Sequence, residues 1–221
     1  MRVGILGSGL MGGRLGTLFA RAGHEVVFSY ARSPQKLQRL ARAAGRTARH
    51  GSAREAVAGA DAVLLAVHWS RIGDVLDQAG DLSGKIVITC SLPMNARNTS
   101  LVIGRDSSGA EMLAKRIRKA RVVSAFNTIP SEALFGVFKD RRRKRHKPSL
   151  AFCGNDEKAK LLTATLIRDV GFEPVDCGAL KTARYTEPFA LLVAELAYGG
   201  KAGAELVYRF EYAVRTPAAP A

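Results

Sequence analysis

Three glycines near the start of the chain stand at a spacing that strongly restricts the local backbone. Gly7, Gly9 and Gly12 follow a short apolar run, residues 2–6, and precede an apolar helix pattern over residues 10–22. In the order strand, glycine loop, helix, a G-x-G-x-x-G spacing indicates a dinucleotide-binding β-α-β unit. A glycine-rich turn without a ligand is the alternative interpretation. In either case we predict a buried strand followed by a closely packed helix.

Each glycine has a separate role in such a unit. Gly7 permits the tight turn, Gly9 lets the backbone approach a pyrophosphate, and Gly12 allows the helix to pack against the strand. The helix N-terminus adds free N–H groups that attract phosphate. The predicted pyrophosphate-binding residues are Gly7, Ser8, Gly9, Leu10, Met11 and Gly12.

The end of the second predicted strand, residues 25–29, indicates which dinucleotide would bind. A chain that binds NAD usually places an Asp or Glu there, to bind the ribose 2′-hydroxyl. Hydroxyl and basic side chains stand there instead, and the predicted 2′-phosphate ligands are Ser29, Arg32, Ser33 and Lys36. NADP(H) is therefore favoured over NAD(H), because cations attract a phosphate that a carboxylate would repel. Alternatively, Arg32 and Lys36 are solvated charges at a helix start.

Apolar runs alternate with helical patterns along most of the chain. The predicted strands are residues 2–6, 25–29, 62–67, 85–89 and 121–125, with a weaker strand near 46–50 and a short helix capped by Ser52 after it. This alternation predicts an α/β fold with a Rossmann-like, doubly wound parallel sheet. Beyond residue 129 we predict helices at 131–137, 156–170 and 181–198 and strands at 149–153 and 172–176. The expected domains are residues 1–130 and a small C-terminal α/β lobe, residues 131–221.

Ligands of an open parallel sheet lie beyond the carboxyl ends of its strands. The segments that follow strands are Val67-His68-Trp69, residues 90–93 and Asn127-Thr128-Ile129-Pro130. Asn127 and Thr128 could bind a carboxamide or a heterocyclic ring, with local turn chemistry as the alternative. His68 could act as a general acid, although no carboxylate stands near it in sequence to orient it. Trp69 is expected to pack against a cofactor edge or the core.

Composition excludes several other classes of protein. Of 221 residues 47% are hydrophobic, which is enough for a substantial core. The longest apolar candidate, residues 188–198, contains Glu195 and is shorter than the ~18 residues that span a membrane. With no signal-peptide pattern, we expect a cytoplasmic protein without a membrane partner. The three cysteines form no C-x-x-C pair, and neither a metal site nor a Ser/His/Asp order is indicated, so cofactors are expected to supply the reactive atoms.

The chain is strongly basic, with a net charge of +15. Such a charge attracts anions, for which phosphorylated cofactors and nucleic acid are the candidates. Much of it lies in the basic segment, residues 139–147 (KDRRRKRHK), where eight of nine side chains are basic. A solvated, mobile loop is the simplest interpretation. Binding of nucleic acid through phosphates is another, although few aromatics accompany the segment for base stacking.

Together these residues resemble the NADPH-dependent deazaflavin (coenzyme F420) reductases, also called F420:NADP oxidoreductases. The similarity is carried by motifs along nearly the whole chain: G-S-G-L-M-G, S-Y-A-R-S, D-A-V-L-L-A-V-H-W, S-S-G-A-E-M-L-A, V-V-S-A-F-N-T-I-P, C-G-N-D and A-R-Y-T-E-P. The resemblance implies an enzyme with a Rossmann domain for NADP(H), a C-terminal lobe for acceptor binding and dimerisation, and direct hydride transfer between nicotinamide and deazaflavin. A homodimer built partly on the C-terminal helix is implied as well.

The resemblance also implies roles for particular residues. Ser29, Arg32 and Lys36 would bind the 2′-phosphate, and Val67, His68 and Trp69 would surround the adenosine or the nicotinamide. The junction of the two rings would be lined by Asn127, Thr128 and Ile129, with no catalytic acid or base certain. The basic segment is a departure from the family pattern, and its functional interpretation is that its charge attracts the anionic tail of a deazaflavin coenzyme.

Two alternatives within the oxidoreductases remain open. Asn at position 127 also occurs in the similar reductase domain of six-transmembrane metalloreductases, which pass electrons to a flavin, so a flavin is the second candidate acceptor. Pyrroline-carboxylate reductases share the amino-terminal pattern, which makes reduction of a small imine or ketone a further candidate. Those chains add a long helical domain, whereas only about seventy residues follow the basic segment here.

Overall fold

The computed structural model describes residues 1–104, 106–143, 145–201 and 203–212. Eight strands form one sheet in the order β3-β2-β1-β4-β5-β6-β7-β8. The strands are β1 Arg2–Leu6, β2 Glu25–Ser29, β3 Ala48–His50, β4 Ala62–Leu65, β5 Ile86–Thr89, β6 Arg121–Ser124, β7 Ser149–Gly154 and β8 Glu173–Asp176. The helices are α1 Leu10–Arg21, α2 Pro34–Ala44, α3 Ala53–Val57, α4 Ile72–Ala79, α5 Gly109–Arg116, α6 Ala133–Asp140, α7 Glu157–Asp169 and α8 Ala183–Tyr198.

The first six strands are parallel, and helices cover both faces of the sheet. Alternation along β4 shows why: Leu64 packs with the residues of α1 and α2 on one face, and Leu65 packs with those of α3 and α4 on the other. Strands buried on both faces must be apolar throughout, which is the pattern that the sequence shows. The predicted Rossmann-like, doubly wound α/β fold is confirmed.

The C-terminal part of the chain extends the same sheet. β7 pairs antiparallel with β6, with Ser124 opposite Cys153, and β8 then runs parallel to β7. Residues 131–212 therefore share a continuous sheet with residues 1–130, and the division into two domains at residue 130 stays a prediction. The last nine residues of the chain, 213–221, lie outside the part that the structure describes.

Chain order reverses at β1, whose neighbours in the sheet are β2 and β4. In open α/β sheets the crevice at such a switch point is where ligands bind. The glycine loop follows β1 and so lies at this switch point. Gly7 makes its tight turn with a φ of 108°, a conformation that L side chains rarely adopt. Gly12 holds α1 close to the loop, since a Cβ on it would lie 2.0 Å from the Gly7 carbonyl oxygen. Both glycine roles predicted from the spacing are thus present.

Most other predicted elements occur close to their expected positions. α6 differs, because it continues to Asp140 and so includes the first two residues of the basic segment. Among the described residues, no helix is long and apolar enough to cross a membrane. No cluster of His, Cys, Asp and Glu in that part of the chain could hold a metal ion. Cys90, Cys153 and Cys177 are unpaired, and burial raises the pKa of Cys90 and Cys153 to about 12, so neither is a reactive thiolate.

Candidate dinucleotide and acceptor site

A cleft of about 790 Å³ opens at the switch point beside β1. The glycine loop forms its floor, and the ends of β2 and β4 with the start of α4 form its walls. The lining residues are Gly7, Ser8, Gly9, Leu10, Tyr30, Ala31, Arg32, Lys36, Ala66, Val67, His68, Arg71, Asp74 and Gln78. The cleft, called the cationic cleft below, thus brings together most of the predicted cofactor-binding residues.

The first turn of α1 is prepared for an anion. Gly9 at its N-cap provides no side-chain cap, and the turn contains no acidic residue. The helices α2, α3, α5 and α7 are capped by the side chains of Ser33, Ser52, Ser108 and Asp156, whereas α4, α6 and α8 also lack a side-chain cap. What distinguishes α1 is that its uncapped start follows the glycine loop and opens into the cationic cleft. Free N–H groups and the positive end of the helix dipole make such an uncapped terminus a phosphate site. Ser8 does not compete for this role, because its hydroxyl donates to the Ser29 carbonyl oxygen.

Three basic side chains line the cationic cleft. Arg32 and Lys36 were predicted, and Arg71 was missed. Arg71 lies 3.6 Å from the carboxylate of Asp74, to which the Tyr30 hydroxyl also donates. The hydrogen bond from Tyr30 lowers the pKa of Asp74, so this carboxylate is charged and holds Arg71 in place. A basic residue shortly after H-W was the available sequence signal for Arg71, but nothing in the sequence links it to Tyr30.

The structure corrects one of the predicted phosphate ligands, Ser29, and gives another, Ser33, a role in capping a helix. Ser29 is fully buried, and its hydroxyl donates to the Ile5 carbonyl oxygen at 2.7 Å, because the last residue of β2 points into the sheet. Ser33 caps α2 by accepting the N–H of Lys36. Ser29 therefore does not face the cleft. Ser33 accepts one N–H through its hydroxyl oxygen and keeps its O–H as a donor, so its role as a phosphate ligand stays a prediction.

His68 and Trp69 have different surroundings. His68 lines the cleft, with Nδ1 2.8 Å from the Ser70 hydroxyl and Nε2 3.0 Å from the Asn98 side-chain oxygen. Since both ring nitrogens have partners, the geometry gives no support to a general-acid role. Trp69 packs against the core beside α4. Of its two predicted positions, against a cofactor edge or against the core, the structure shows the second. Val67 lines the cleft as predicted.

A second, smaller pocket of about 220 Å³ adjoins the cationic cleft. Leu10 lines both, so the two spaces meet at the first turn of α1. The lining is mostly apolar and consists of Leu10, Met11, Leu92, Asn127, Ile129, Pro130, Ser131, Ala190, Val193, Ala194 and Tyr198. This space is called the apolar pocket below, and four of the predicted site residues lie in its wall: Leu10, Met11, Asn127 and Ile129.

The side-chain oxygen of Asn127 is buried and accepts no hydrogen bond. An unsatisfied buried acceptor costs about 1–3 kcal/mol and is rare in native proteins. The preceding residue, Phe126, has a φ of 66°, which is a strained value for a bulky side chain. Both features make residue 127 a candidate for binding the N–H of a ligand in the apolar pocket.

Thr128 does not accompany Asn127 into the pocket. Its side chain is fully buried, and its hydroxyl is 2.7 Å from that of Tyr208. The prediction that Thr128 positions a ring is therefore corrected, because the turn at residues 127–128 directs its side chain toward Tyr208.

A polar network that the sequence did not indicate borders the apolar pocket. Arg14 of α1 contacts Glu132 at 3.2 Å and donates to the Ser131 hydroxyl, and the Tyr198 hydroxyl of α8 donates to Glu132 at 2.8 Å. Burial, together with the hydrogen bond to Glu132, raises the pKa of Tyr198 to about 12. Burial alone would raise the pKa of Glu132, but the bonds from Tyr198 and Arg14 lower it, so this carboxylate is charged. No local pattern joins residues 14, 132 and 198.

A Rossmann-like sheet, a glycine loop at the start of α1 and a cationic cleft beside an apolar pocket are the features of a dinucleotide-binding domain suited to NADP(H). Comparison with known proteins agrees with this class. Residues 2–93 match the family described as NADP oxidoreductase, coenzyme F420-dependent. The resemblance to F420:NADP oxidoreductases that the motifs indicated is thereby confirmed.

Individual relatives fall into two groups. Metalloreductase STEAP3 of Rattus norvegicus is 30% identical over 190 residues, which cover 86% of this chain and 36% of that protein. F420-dependent NADP reductase of Methanocaldococcus jannaschii is 30% identical over 142 residues, 62% of this chain and 61% of that protein. The chain thus spans between about a third and three fifths of these curated relatives.

A solved structure shows the same fold over nearly the whole chain. It is a provisionally assigned F420-dependent NADP-reductase from Arthrobacter sp. fb24, with a TM-score of 0.82. The superposition covers 96% of this chain and 100% of the other at 23% sequence identity. At that identity the similarity concerns the fold.

Proposed function

We propose that the protein transfers hydride between NADPH and a deazaflavin coenzyme of the F420 type. The observation that carries the proposal is the unpaired oxygen of Asn127, in an apolar pocket that adjoins the cationic cleft. Nicotinamide carboxamides and the pyrimidine rings of deazaflavins both carry N–H groups that such an oxygen would accept. Burial in an apolar wall makes that acceptor selective, because a ligand without an N–H leaves it unsatisfied.

The described residues supply binding and orientation for this reaction. N–H groups at the start of α1 would bind the pyrophosphate, and Arg32 and Lys36 would bind the 2′-phosphate. Leu10 stands where cleft and pocket meet, which is the place for the nicotinamide ring. Apolar walls exclude water and hold the two rings in contact.

The overall change consumes one proton with each hydride. NADPH gives two electrons and a hydrogen to the acceptor ring and becomes NADP⁺, while a solvent proton completes the reduced acceptor. In the reverse direction the same atoms return. Hydride transfer itself needs no protein acid, and the Tyr198 hydroxyl, whose pKa burial raises to about 12, stays protonated at neutral pH.

Stopped-flow oxidation of NADPH tests the proposal directly. We expect rapid transfer to oxidised F420 and little to FMN or FAD, with the absorbance of both partners changing together. Transfer to none of the three, despite NADPH binding, would contradict it and favour a small imine or ketone as substrate.

A flavin is the second candidate acceptor. The observation in its favour is the similarity to metalloreductase STEAP3 over 86% of this chain, a larger part than the F420-dependent NADP reductase covers. Preferential reduction of FMN or FAD in the same experiment would establish it.

A further inference from the structure

The basic segment lies at the same end of the sheet as the proposed reaction site, beyond the carboxyl end of β6. α6 begins two residues after Ser131 of the apolar pocket and ends at Asp140, about 12 Å further along its axis. The segment then leads to β7, which is antiparallel to β6, with Ser124 opposite Cys153. The start of β7 therefore lies beyond the carboxyl end of β6, the end from which Asn127 enters the pocket.

Side chains of this segment form part of a cavity of about 200 Å³, called the basic cavity here. Its charged lining consists of Arg141, His146, Lys147, Arg209 and one acid, Asp140, and its remaining walls include Val137, Pro148, Val207 and Tyr208. Arg142, Arg143 and Arg145 are exposed beside it, and Lys144 lies outside the described residues. Arg209 is paired with Glu211, but Arg141, His146 and Lys147 with the exposed arginines beside them still outnumber the acids, so the cavity attracts anions.

Arg141 is fixed in position. Its guanidinium lies 3.6 Å from the centre of the Phe138 ring and donates to the Phe138 carbonyl oxygen at 2.8 Å. Such a pre-oriented cation loses little freedom when it binds an anion. The same stacking covers the Phe138 ring, which is 8% exposed and so offers no surface on which a nucleic acid base could stack.

Tyr208 lies between the basic cavity and the chain segment that carries Asn127. It lines the cavity, and its hydroxyl contacts the Thr128 hydroxyl at 2.7 Å and the Ala151 N–H at 3.2 Å. Thr128 is the neighbour of Asn127. A ligand that fills both the apolar pocket and the basic cavity would therefore contact two sides of one packed unit.

We infer that the basic cavity and the exposed arginines beside it bind an anionic tail carried by the acceptor whose ring occupies the apolar pocket. The inference rests on the proposed function. The length of α6 sets the reach of that tail at about 12 Å, or roughly four residues of extended chain. Phosphate and carboxylate groups both satisfy the chemistry.

Two acceptors that share the same ring distinguish the effect of binding the tail from the effect of binding the ring. Coenzyme F420 carries a phosphate and glutamates, and 8-hydroxy-5-deazariboflavin is the same ring without them. In the variant Arg142→Gln, Arg145→Gln, Lys147→Gln we expect the KM for F420 to rise about tenfold or more at low salt, because long-range attraction is lost. kcat for F420 and all constants for the tail-free ring should stay as in the wild type. Arg209→Gln, at the opposite wall, should change the same constants in the same direction.

The matched control removes three charges from the opposite end of the sheet, where β6 begins. The variant Lys115→Gln, Arg118→Gln, Lys119→Gln changes exposed residues just before β6 begins, and we expect it to leave the F420 constants almost unchanged. Equal losses in control and test variants, or equal losses for the two acceptors, would overturn the inference. FMN and riboflavin, used in the same way, show whether a phosphate alone is sufficient.

Equilibrium binding separates this inference from the proposed function. Deazaflavin fluorescence gives a Kd for each ligand without turnover. If wild-type protein transfers no hydride yet binds F420 more tightly than the tail-free ring through the basic cavity, the proposed function fails and the inference stands. If the test variant loses gel-shift binding of duplex DNA while both ligand Kd values stay unchanged, the segment is a nucleic-acid surface and the inference is wrong.

Discussion

Asn127 carries the strongest ligand signal of any single residue in the described chain. Its oxygen is buried and unsatisfied beside a strained Phe126. The cost of about 1–3 kcal/mol that this acceptor imposes is recovered only when a donor enters the pocket. A substitution that removes this acceptor should therefore preserve or raise the free energy of unfolding and lower the affinity for the ligand.

Asn127→Leu tests that opposition. It removes the orphan acceptor, so we expect the free energy of unfolding without ligand to stay the same or to rise by up to about 1 kcal/mol. The kcat/KM for the acceptor should fall about tenfold, because a donor on the ligand then lacks its partner. Urea unfolding and steady-state kinetics measure the two effects. A variant that lost stability and activity together would indicate a purely structural role.

Arg32 is expected to distinguish the two nicotinamide dinucleotides. It is exposed at the wall of the cationic cleft, where a 2′-phosphate would make a charge-assisted hydrogen bond. Arg32→Ala should raise the Kd of NADPH about tenfold or more and leave that of NADH nearly unchanged. Fluorescence titration measures both. Arg39→Ala, in the second turn of α2 and outside the cleft lining, is the control, and equal changes for NADPH and NADH would refute the assignment.

Glu187 links α8 to α5 through its carboxylate. The group is 2% exposed and accepts the N–H groups of Gly109 and Ala110 at 2.9 and 3.0 Å. Burial raises its pKa, so the folded protein binds this proton more tightly than the unfolded chain does. Its contribution is therefore fully present below the ordinary carboxyl pKa and declines as pH rises through the folded value.

The Glu187→Gln variant removes this titration. Between about pH 5 and about pH 8 we expect the stability of the wild type to fall relative to the variant, by an amount of the order of 1 kcal/mol. Urea unfolding of both proteins at the two pH values measures the difference. Because the other groups titrate alike in both proteins, their contributions cancel in the difference between the two free energies of unfolding. A constant difference between them would contradict the raised pKa.

At the scale of elements, caps and periodicity explain why the predicted segments are correct. Ser52 forms a capping box with Glu55, and Ser33 caps α2 with Pro34 after it, so these helix starts are encoded locally. The end of α6 was predicted three residues too early, because Lys139 and Asp140 were assigned to a loop on charge alone. Both are acceptable helix residues, and Phe138 packs into the core and holds the last turn.

The network of Arg14, Glu132 and Tyr198 ties three helices together around the apolar pocket. Tyr198→Phe removes the hydroxyl and keeps the ring, so we expect the free energy of unfolding to fall by only about 1 kcal/mol. The last turn of α8 should lose hydrogen-exchange protection, since it loses its bond to Glu132. The KM for the acceptor should rise while the Kd for NADPH stays unchanged, because α8 lines only the apolar pocket. Unchanged exchange in α8 would exclude this coupling.

For the whole molecule, α8 presents an apolar surface to solvent. Tyr185, Leu192 and Leu196 lie on one helix face and are 74%, 54% and 58% exposed. We propose that this face is the contact of a homodimer, as the resemblance implied. Leu196→Asp should then shift the protein from dimer to monomer in analytical ultracentrifugation, whereas Leu161→Asp, an equally exposed leucine on α7, should not. A wild-type protein that is monomeric at high concentration would contradict the proposal.

The sequence by itself determined the positions of the strands in the dinucleotide-binding half, the glycine loop and two of the basic residues in the wall of the cleft. These features depend on spacing, periodicity and charge within short segments, which local patterns record. Only the tertiary structure decided which neighbouring residues face a ligand: Asn127 enters the apolar pocket while Thr128 bonds to Tyr208, and Ser29 turns into the sheet. Side-chain direction and long-range partners depend on how distant elements pack, and sequence spacing holds no record of contacts between residues 80 positions apart.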